Sequence, residues 1–407
     1  GPEGNYLWAY GPYFSRHYQT PWGQAINYDG PDSDPVREYF LANALQWVRD
    51  FHVDALRLDA IEAINDQSPN PFLQELAGLV QQEGVRLGRR VLLMAESDRN
   101  DIRHLQPPEV GGCGLDSHWL DDFHHALHVL LTGEQQGYYQ DFGTLADLAR
   151  AYRQGFIYRG QYSRYRRRRH GSDSSLIRPH RFVVFSQNHD QIGNRPQGER
   201  LSRLTDLAGL KLAAAAVLLS PFTPLLFMGE EWGATEPFYY FTSHEDPDLI
   251  AAVRQGRAAA CRDLEACPPD PQAVETFTAS RPGAGPREAW QHQLLAYYRE
   301  LLTWRRRLQA EVELGQHYPR VWLWPMATTL ALDYRGDQHY LVILNFQAQP
   351  ELIRLPLGPS SWRLCLASTD RQWGGTGHNL PDRFSSDPDL EVAVPARSCL
   401  LLGREEE

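Results

Sequence analysis

The feature of this sequence that most constrains its fold is the regular alternation of helix-type and strand-type segments between about residues 36 and 309. Apolar residues at helical spacing in 36–51 are followed by a strand-type run at 53–58. Repeated units of this kind predict a parallel sheet with helical crossovers, either doubly wound or closed as a barrel. The remaining candidates are helices at 72–83, 144–154, 205–219 and 290–308 and strands at 91–95, 181–186 and 224–228.

The pattern changes after Pro319, where no long helix is indicated. Short apolar segments separated by Gly, Pro, Asp and Ser are typical of an all-β sandwich. We therefore predict two domains, an α/β unit in residues 1–315 and a C-terminal β-sandwich in residues 316–407. The strand candidates of the second domain are 321–333, 340–346, 351–355, 362–367 and 390–394.

Charge and cysteine content exclude several classes of protein. The chain has 40 basic and 51 acidic residues and a net charge of −11, which argues against a nucleic-acid or membrane partner. The apolar run 210–227 is interrupted by Lys211 and by two prolines, so it does not predict a membrane span. The 5 cysteines are too few and too scattered for a disulfide scaffold. Free thiols and a cytoplasmic location are therefore expected.

Three strand candidates end in the same way, with an apolar run followed shortly by an acid: Asp59, Glu96 and Asp190. Each acid taken alone is equally well explained as the N-cap of a following helix. In a parallel βα barrel, however, the carboxyl ends of the strands share one rim, so acids from distant parts of the chain meet in one pocket. The three acids together therefore indicate a catalytic group.

Two carboxyl groups in one pocket can divide the roles of acid and nucleophile when their surroundings differ. Arg57 precedes Asp59 by two residues and would keep that carboxylate ionised. Such a pair is what glycoside hydrolysis requires, and in a retaining enzyme its two carboxyl groups lie about 5–5.5 Å apart.

The residues around these acids resemble the α-amylase family of glycoside hydrolases. Leu56-Arg57-Leu58-Asp59-Ala60, Met94-Ala95-Glu96-Ser97 and Asn188-His189-Asp190 are similar to the family's second, third and fourth signature regions. The resemblance implies that Asp59 is the nucleophile and Glu96 the general acid/base. It also implies that Asp190 holds vicinal hydroxyls of the sugar and favours ring distortion.

The resemblance further implies a (β/α)8 TIM-type barrel followed by the C-terminal β domain. The family's third-strand motif would lie immediately before residue 1, together with the first three barrel strands and an N-terminal β module. We therefore expect the chain to be the larger C-terminal part of a longer enzyme.

Specificity is indicated by a departure from ordinary amylases. Glu62 and Ala63 stand three and four residues after Asp59, where a Lys-His pair is common in the family. That pair usually holds the sugars on the leaving side, so the leaving group here is expected to differ from maltose. Further segments resemble the branch of the family that acts on malto-oligosaccharides ending in a trehalosyl unit. They are 6–8, 20–23, 121–126, 162–165, 168–171, 187–194 and 228–232.

We therefore predict a retaining hydrolase that cleaves the α-1,4 bond next to a terminal trehalosyl unit of an α-glucan. An α-amylase and a glycogen branching enzyme are alternatives within the family, and a non-catalytic α-glucan-binding protein is an alternative of another class. The resemblance and the local turns predict substrate contacts for Trp22, Arg57, Glu62, Ala63, Asp122, His125, Tyr138, Tyr165, Arg166 and His189.

No cofactor and no metal ion are predicted. The histidines at 124, 125 and 128 are spaced like ligands on one helix face, but the sequence has no HExxH pattern. A hydrogen-bonding or sugar-contacting role is therefore expected for this cluster.

Overall fold

The structure of the protein is a computed structural model. It describes residues 6–260, 268–283, 285–324, 326 and 328–405. Cys113, Cys365 and Cys399 are free thiols, as expected, whereas Cys261 and Cys267 lie outside the described residues. The strands of the first part of the chain are β1 (Phe14–Thr20), β2 (Gly23–Ile26), β3 (Ala55–Leu58), β4 (Leu92–Ala95), β5 (Ser117–Trp119), β6 (Arg159–Ser163), β7 (Arg168–Gly171), β8 (Phe182–Val184) and β9 (Thr223–Pro224).

Ten helices lie between or after these strands along the described part of the chain. They are α1 (Asp34–Arg49), α2 (Phe72–Leu87), α3 (Asp121–Thr132), α4 (Leu145–Gln154), α5 (His189–Gly193), α6 (Leu201–Leu204), α7 (Leu207–Leu218), α8 (Pro247–Ala260), α9 (Val274–Ala279) and α10 (Ala289–Glu311). Most of the helices and strands predicted between residues 36 and 309 are present within a few residues of the expected bounds.

A five-stranded parallel sheet, in the order β3-β4-β5-β8-β9, forms the centre of this part of the protein. Leu58 pairs with Ala95, and Ala95 pairs with His118. Trp119 in turn pairs with Val183. Because the strands are parallel and in register near their ends, the residues that follow them emerge at one edge of the sheet.

The first half of the apolar run 210–227 lies in a buried helix, α7. Residues 209–218 of α7 are all buried. The guanidinium of Arg305, on α10, donates to the carbonyls of Leu218, Ser220 and Phe222. Leu218 is the last residue of α7, and the other two residues follow it. None of the described helices is long and apolar enough to cross a membrane.

The C-terminal part is an eight-stranded antiparallel sheet. One face of β11, β12 and β17 packs against the helices, and the other packs against β13 and β16, so apolar residues cover both faces. The strands are β10 (Arg320–Trp324), β11 (Thr329–Arg335), β12 (His339–Asn345), β13 (Glu351–Pro356), β14 (Ser360–Ala367), β15 (Arg383–Ser386), β16 (Asp389–Val394) and β17 (Ser398–Arg404).

Two strand predictions differ from the structure. The segment 321–333 forms two strands, β10 and β11, which pair with each other as a hairpin. The strand predicted at 224–228 shortens to the two residues of β9. Pro224 has no N–H group to donate to a neighbouring strand. The Leu225 amide still donates to the Val184 carbonyl at 2.8 Å, and the chain then leaves the sheet.

Candidate active site

The carboxyl ends of β3 and β4 place Asp59 and Glu96 beside one guanidinium. Arg57 lies on β3; its Nη1 contacts Asp59 Oδ1, and its Nη2 lies 3.5 Å from Glu96 Oε2. The same guanidinium stacks on the Trp119 ring, 4.4 Å from its centroid, at the end of β5. Arg57 therefore joins three neighbouring strands and balances the negative charge of two acids.

The two acids differ in their surroundings. The Asp59 side chain is 76% exposed, whereas that of Glu96 is 16% exposed. The Ala60 amide donates to Glu96 Oε2 at 2.6 Å, from a residue whose φ of 44° lies in the left-handed region. Burial nevertheless raises the pKa of Glu96, because it outweighs the Ala60 hydrogen bond and the charge of Arg57. One exposed carboxylate next to an arginine and one buried carboxyl suit nucleophile and acid, respectively.

The third acid follows β8 at the start of a short helix. Asn188 caps α5, and its side chain accepts the Asp190 amide at 2.9 Å. His189 Nε2 lies 3.5 Å from Asp190 Oδ2, and the His189 ring packs edge-on against Trp119 with centroids 6.3 Å apart. Trp119 thus contacts both the Arg57 side and the Asp190 side of the site, a role that the sequence did not predict.

A second group of predicted residues is held together by ring contacts. His125, on α3, stacks on Tyr138 with centroids 4.4 Å apart, and Tyr138 packs edge-on against Tyr165 at 6.3 Å. The Arg166 guanidinium lies 5.6 Å from the Tyr165 ring centroid and donates to Asp98 Oδ2 at 2.9 Å. The structure therefore brings together the four predicted substrate-binding residues His125, Tyr138, Tyr165 and Arg166.

Three further predicted residues lie in turns. Glu62 and Ala63 form a single 3-10 turn after Asp59, and Glu62 Oε2 is buried without a hydrogen bond to any described residue. Burial also raises the pKa of Glu62. Trp22 lies in the β1–β2 turn and is 58% exposed; no ring contact or hydrogen bond links it to the acids within the described part of the chain.

No family model matches the chain, but comparison with known proteins finds relatives with similar sequences. Malto-oligosyltrehalose trehalohydrolase from Saccharolobus solfataricus is 45% identical over 308 residues, which are 75% of this chain and 52% of the relative. The enzyme of the same name from Rhizobium sp. is 44% identical over 367 residues, which are 86% of this chain and 59% of the relative. The chain thus spans little more than half the length of these relatives.

A solved structure is similar over the whole chain. It is a protein of Salmonella typhimurium, provisionally named as an alpha amylase, that is 34% identical with a TM-score of 0.82 and covers 100% of this chain and 66% of its own. The chain belongs to the α-amylase family. The predicted family resemblance is confirmed.

In this α-amylase family chain, the structure separates two adjacent acids at the start of α3. Asp122 is 4% exposed, and its Oδ2 accepts from the Asn100 side chain at 2.6 Å and from the amides of Ile157 and Tyr158 at 2.8 and 3.2 Å. The structure therefore places Asp122, predicted to bind substrate, under the loop after α4 and not with the other acids.

Asp121 is the less buried acid of the pair. Burial, and then the charges of Glu96, Asp122 and Asp190, raise its pKa to about 8. Asp121 thus lies in the electrostatic field of Glu96 and Asp190, two of the acids predicted to be catalytic. It follows β5, the strand that lies between β4 and β8 in the sheet, by two residues. The helical repeat of α3 could have shown which of the two acids faces the site. Asp121 lies on the same helix face as His125, whereas Asp122 lies on the same face as the buried Ala126.

Replacing Asp122 by Ala is expected to lower the free energy of unfolding by about 2–4 kcal/mol, because two backbone amides and the Asn100 amide lose a buried acceptor. Asp121→Asn is the matched control, since an amide has the shape of the protonated acid and relieves repulsion. It is expected to change stability by at most about 0.5 kcal/mol. Urea unfolding of both variants checks this; equal stability of the two would contradict the anchoring role of Asp122.

A metal-binding group is not found among the described residues. The histidines of α3 are instead engaged in polar and aromatic contacts. His124 Nδ1 lies 3.0 Å from His125 Nδ1, and His128 Nε2 lies 2.8 Å from Glu134 Oε2.

Proposed function

We propose that this chain forms most of the catalytic part of a retaining glycoside hydrolase. The enzyme would cleave the α-1,4-glucosidic bond next to the terminal trehalosyl unit of malto-oligosyltrehalose and release trehalose. The observation that carries the proposal is the single Arg57 guanidinium in contact with both Asp59 and Glu96 at neighbouring strand ends. The names of the relatives supply the substrate.

The parallel sheet fits five neighbouring strands of a (β/α)8 barrel, because its spatial order is also its order along the chain. In this arrangement the site lies at the carboxyl ends of the strands, where barrel enzymes carry their catalytic residues. The end of α10 at Glu311 and the start of β10 at Arg320 support a domain boundary near residue 315. The free thiols fit a cytoplasmic enzyme.

Each acid has a distinct role in the proposed reaction. The Asp59 carboxylate attacks the anomeric carbon of the glucose while Glu96 gives its proton to the departing oxygen of trehalose. Glu96, now ionised, takes a proton from water, and the hydroxide displaces Asp59 to release the glucan with the α configuration. Arg57 balances the charge on Asp59, and Asp190 accepts hydrogen bonds from sugar hydroxyls.

The leaving-side residues support a trehalosyl leaving group. One oxygen of the Glu62 carboxylate is buried and makes no hydrogen bond to a described residue. A side-chain movement that exposes this oxygen would let it accept a hydrogen bond from a sugar hydroxyl. The neighbouring Ala63 has only a methyl side chain. The aromatic rings of Tyr138 and Tyr165 provide apolar faces for sugar rings.

We expect kcat/KM for a malto-oligosyltrehalose with as many glucose units as maltohexaose to exceed that for maltohexaose by about tenfold or more. The reason is that buried polar groups of a binding site distinguish substrates by the pattern of their hydroxyl groups. The measurement is chromatography of the products from each glucan, using the protein that contains this chain. Equal cleavage of both glucans would indicate an α-amylase, new α-1,6 bonds a branching enzyme, and binding without cleavage a non-catalytic glucan-binding protein.

A further inference from the structure

A tyrosine from a distant loop lies against Asp190. The Tyr240 hydroxyl is 3.1 Å from Asp190 Oδ1 and 3.2 Å from the His189 carbonyl oxygen. Both atoms are acceptors, so the phenol must be the donor. Burial raises the pKa of Tyr240, and the charge of Asp190 raises it further, so the hydroxyl keeps its proton.

The Tyr240 ring is fixed from two sides. The Arg257 guanidinium, on α8, lies 4.7 Å from the ring centroid, and its Nη2 donates to the Gly193 carbonyl at 3.0 Å. The Phe238 ring packs edge-on at 6.2 Å. Arg257 therefore ties the tyrosine to the last residue of α5, the helix that carries Asp190.

The close approach of Tyr240 requires a glycine in α5. A Cβ atom built on Gly193 would lie 2.7 Å from Tyr240 Cζ and 3.0 Å from its hydroxyl oxygen, closer than side chains tolerate. Any larger residue at position 193 would push the ring away from Asp190.

We propose that Tyr240 is a positioning residue that fixes the orientation of the Asp190 carboxylate. With Oδ1 held by the phenol, Oδ2 remains beside His189 Nε2 at 3.5 Å and is free to accept a sugar hydroxyl. A carboxylate held in this way needs no reorganisation when the transition state forms. The inference rests on the proposed function, in that it takes Asp190 as the hydroxyl-binding acid.

The test compares Tyr240→Phe with Tyr239→Phe in the protein that contains this chain. Both substitutions remove one phenolic oxygen, but the Tyr239 hydroxyl makes no hydrogen bond within the described part of the chain. We expect Tyr240→Phe to lower kcat about 10- to 100-fold, as for a hydrogen bond to a charged group, with KM changed by at most about twofold. Tyr239→Phe should leave both constants near those of the wild type.

Gly193→Ala provides a second variant, because it displaces the hydroxyl without removing it. It should reproduce the loss of kcat. A wild-type kcat in Tyr240→Phe would overturn the proposal, and so would a raised KM with unchanged kcat, which would mean that Tyr240 binds substrate directly. Melting temperatures of all three variants show whether lost activity reflects a lost fold.

Crystal structures of the variants test the proposal without reference to activity. The Asp190 carboxylate should rotate in Tyr240→Phe and keep its wild-type orientation in Tyr239→Phe. An unmoved carboxylate in Tyr240→Phe would overturn the positioning role even if the rate fell. If the wild-type protein cleaves neither glucan, the proposed function fails, and the crystal structures still decide the role of Tyr240.

Discussion

Asp59→Asn is expected to lower kcat at least about 10³-fold, because an amide cannot replace the carboxylate that forms the covalent bond to the sugar. The fold should remain intact, since the Asp59 side chain is 76% exposed and the substitution keeps its shape. The initial rate of trehalose release and the thermal unfolding of the variant are the two measurements.

Asp54→Asn is the matched control for this change. Asp54 directly precedes β3 and pairs with Arg89 at 3.0 Å, so the same substitution is made beside the amino end of the strand. A rate near that of the wild type is expected. If Asp59→Asn retains more than a tenth of the wild-type rate, another group is the nucleophile.

The acids of the site could be predicted because the signal for each is local. An apolar run followed by an acid identifies Asp59, Glu96 and Asp190 as residues at or near strand ends, and parallel strands bring such residues to one edge. The contact of Arg57 with Asp59 follows from their spacing of two residues on one face. Its contacts with Glu96 and Trp119 depend on the register of β3, β4 and β5, which no local pattern contains.

Tyr240 could not be predicted from the sequence for a similar reason. Its partner Asp190 lies 50 residues earlier, and the segment around the tyrosine has no regular secondary structure. Its packing against Arg257, Gly193 and Phe238, which no local pattern contains, brings it to the site.

The strand β17 was also missed. The strand β17 is a continuous run of buried residues, Ser398 to Gly403, because it lies between β12 and β14 with apolar groups on both faces. It lacks the alternation by which a half-exposed strand is identified. The strand β5, Ser-His-Trp, was missed because it is only 3 residues long and begins with polar residues.

Glu96→Gln is expected to lower kcat for malto-oligosyltrehalose by about 10²–10⁴-fold, the range of a lost general acid/base. The wild-type rate should fall as the pH rises through the pKa of Glu96, since the acid must enter the reaction protonated. Burial raises that pKa, so the protonated form persists to higher pH than for an exposed glutamate. The pH–rate profile of the variant should lose this basic limb.

A glucosyl donor with a fluoride leaving group separates the two acids, because fluoride leaves without protonation. Glu96→Gln should release one equivalent of fluoride per active site in a burst and then turn over slowly, since the second step still lacks its base. Azide, which attacks without a general base, should restore turnover. Asp59→Asn should give no burst with the same donor. The absence of a burst in Glu96→Gln would mean that Glu96 is needed to form the covalent intermediate even without proton donation, and its assignment as acid and base would be wrong.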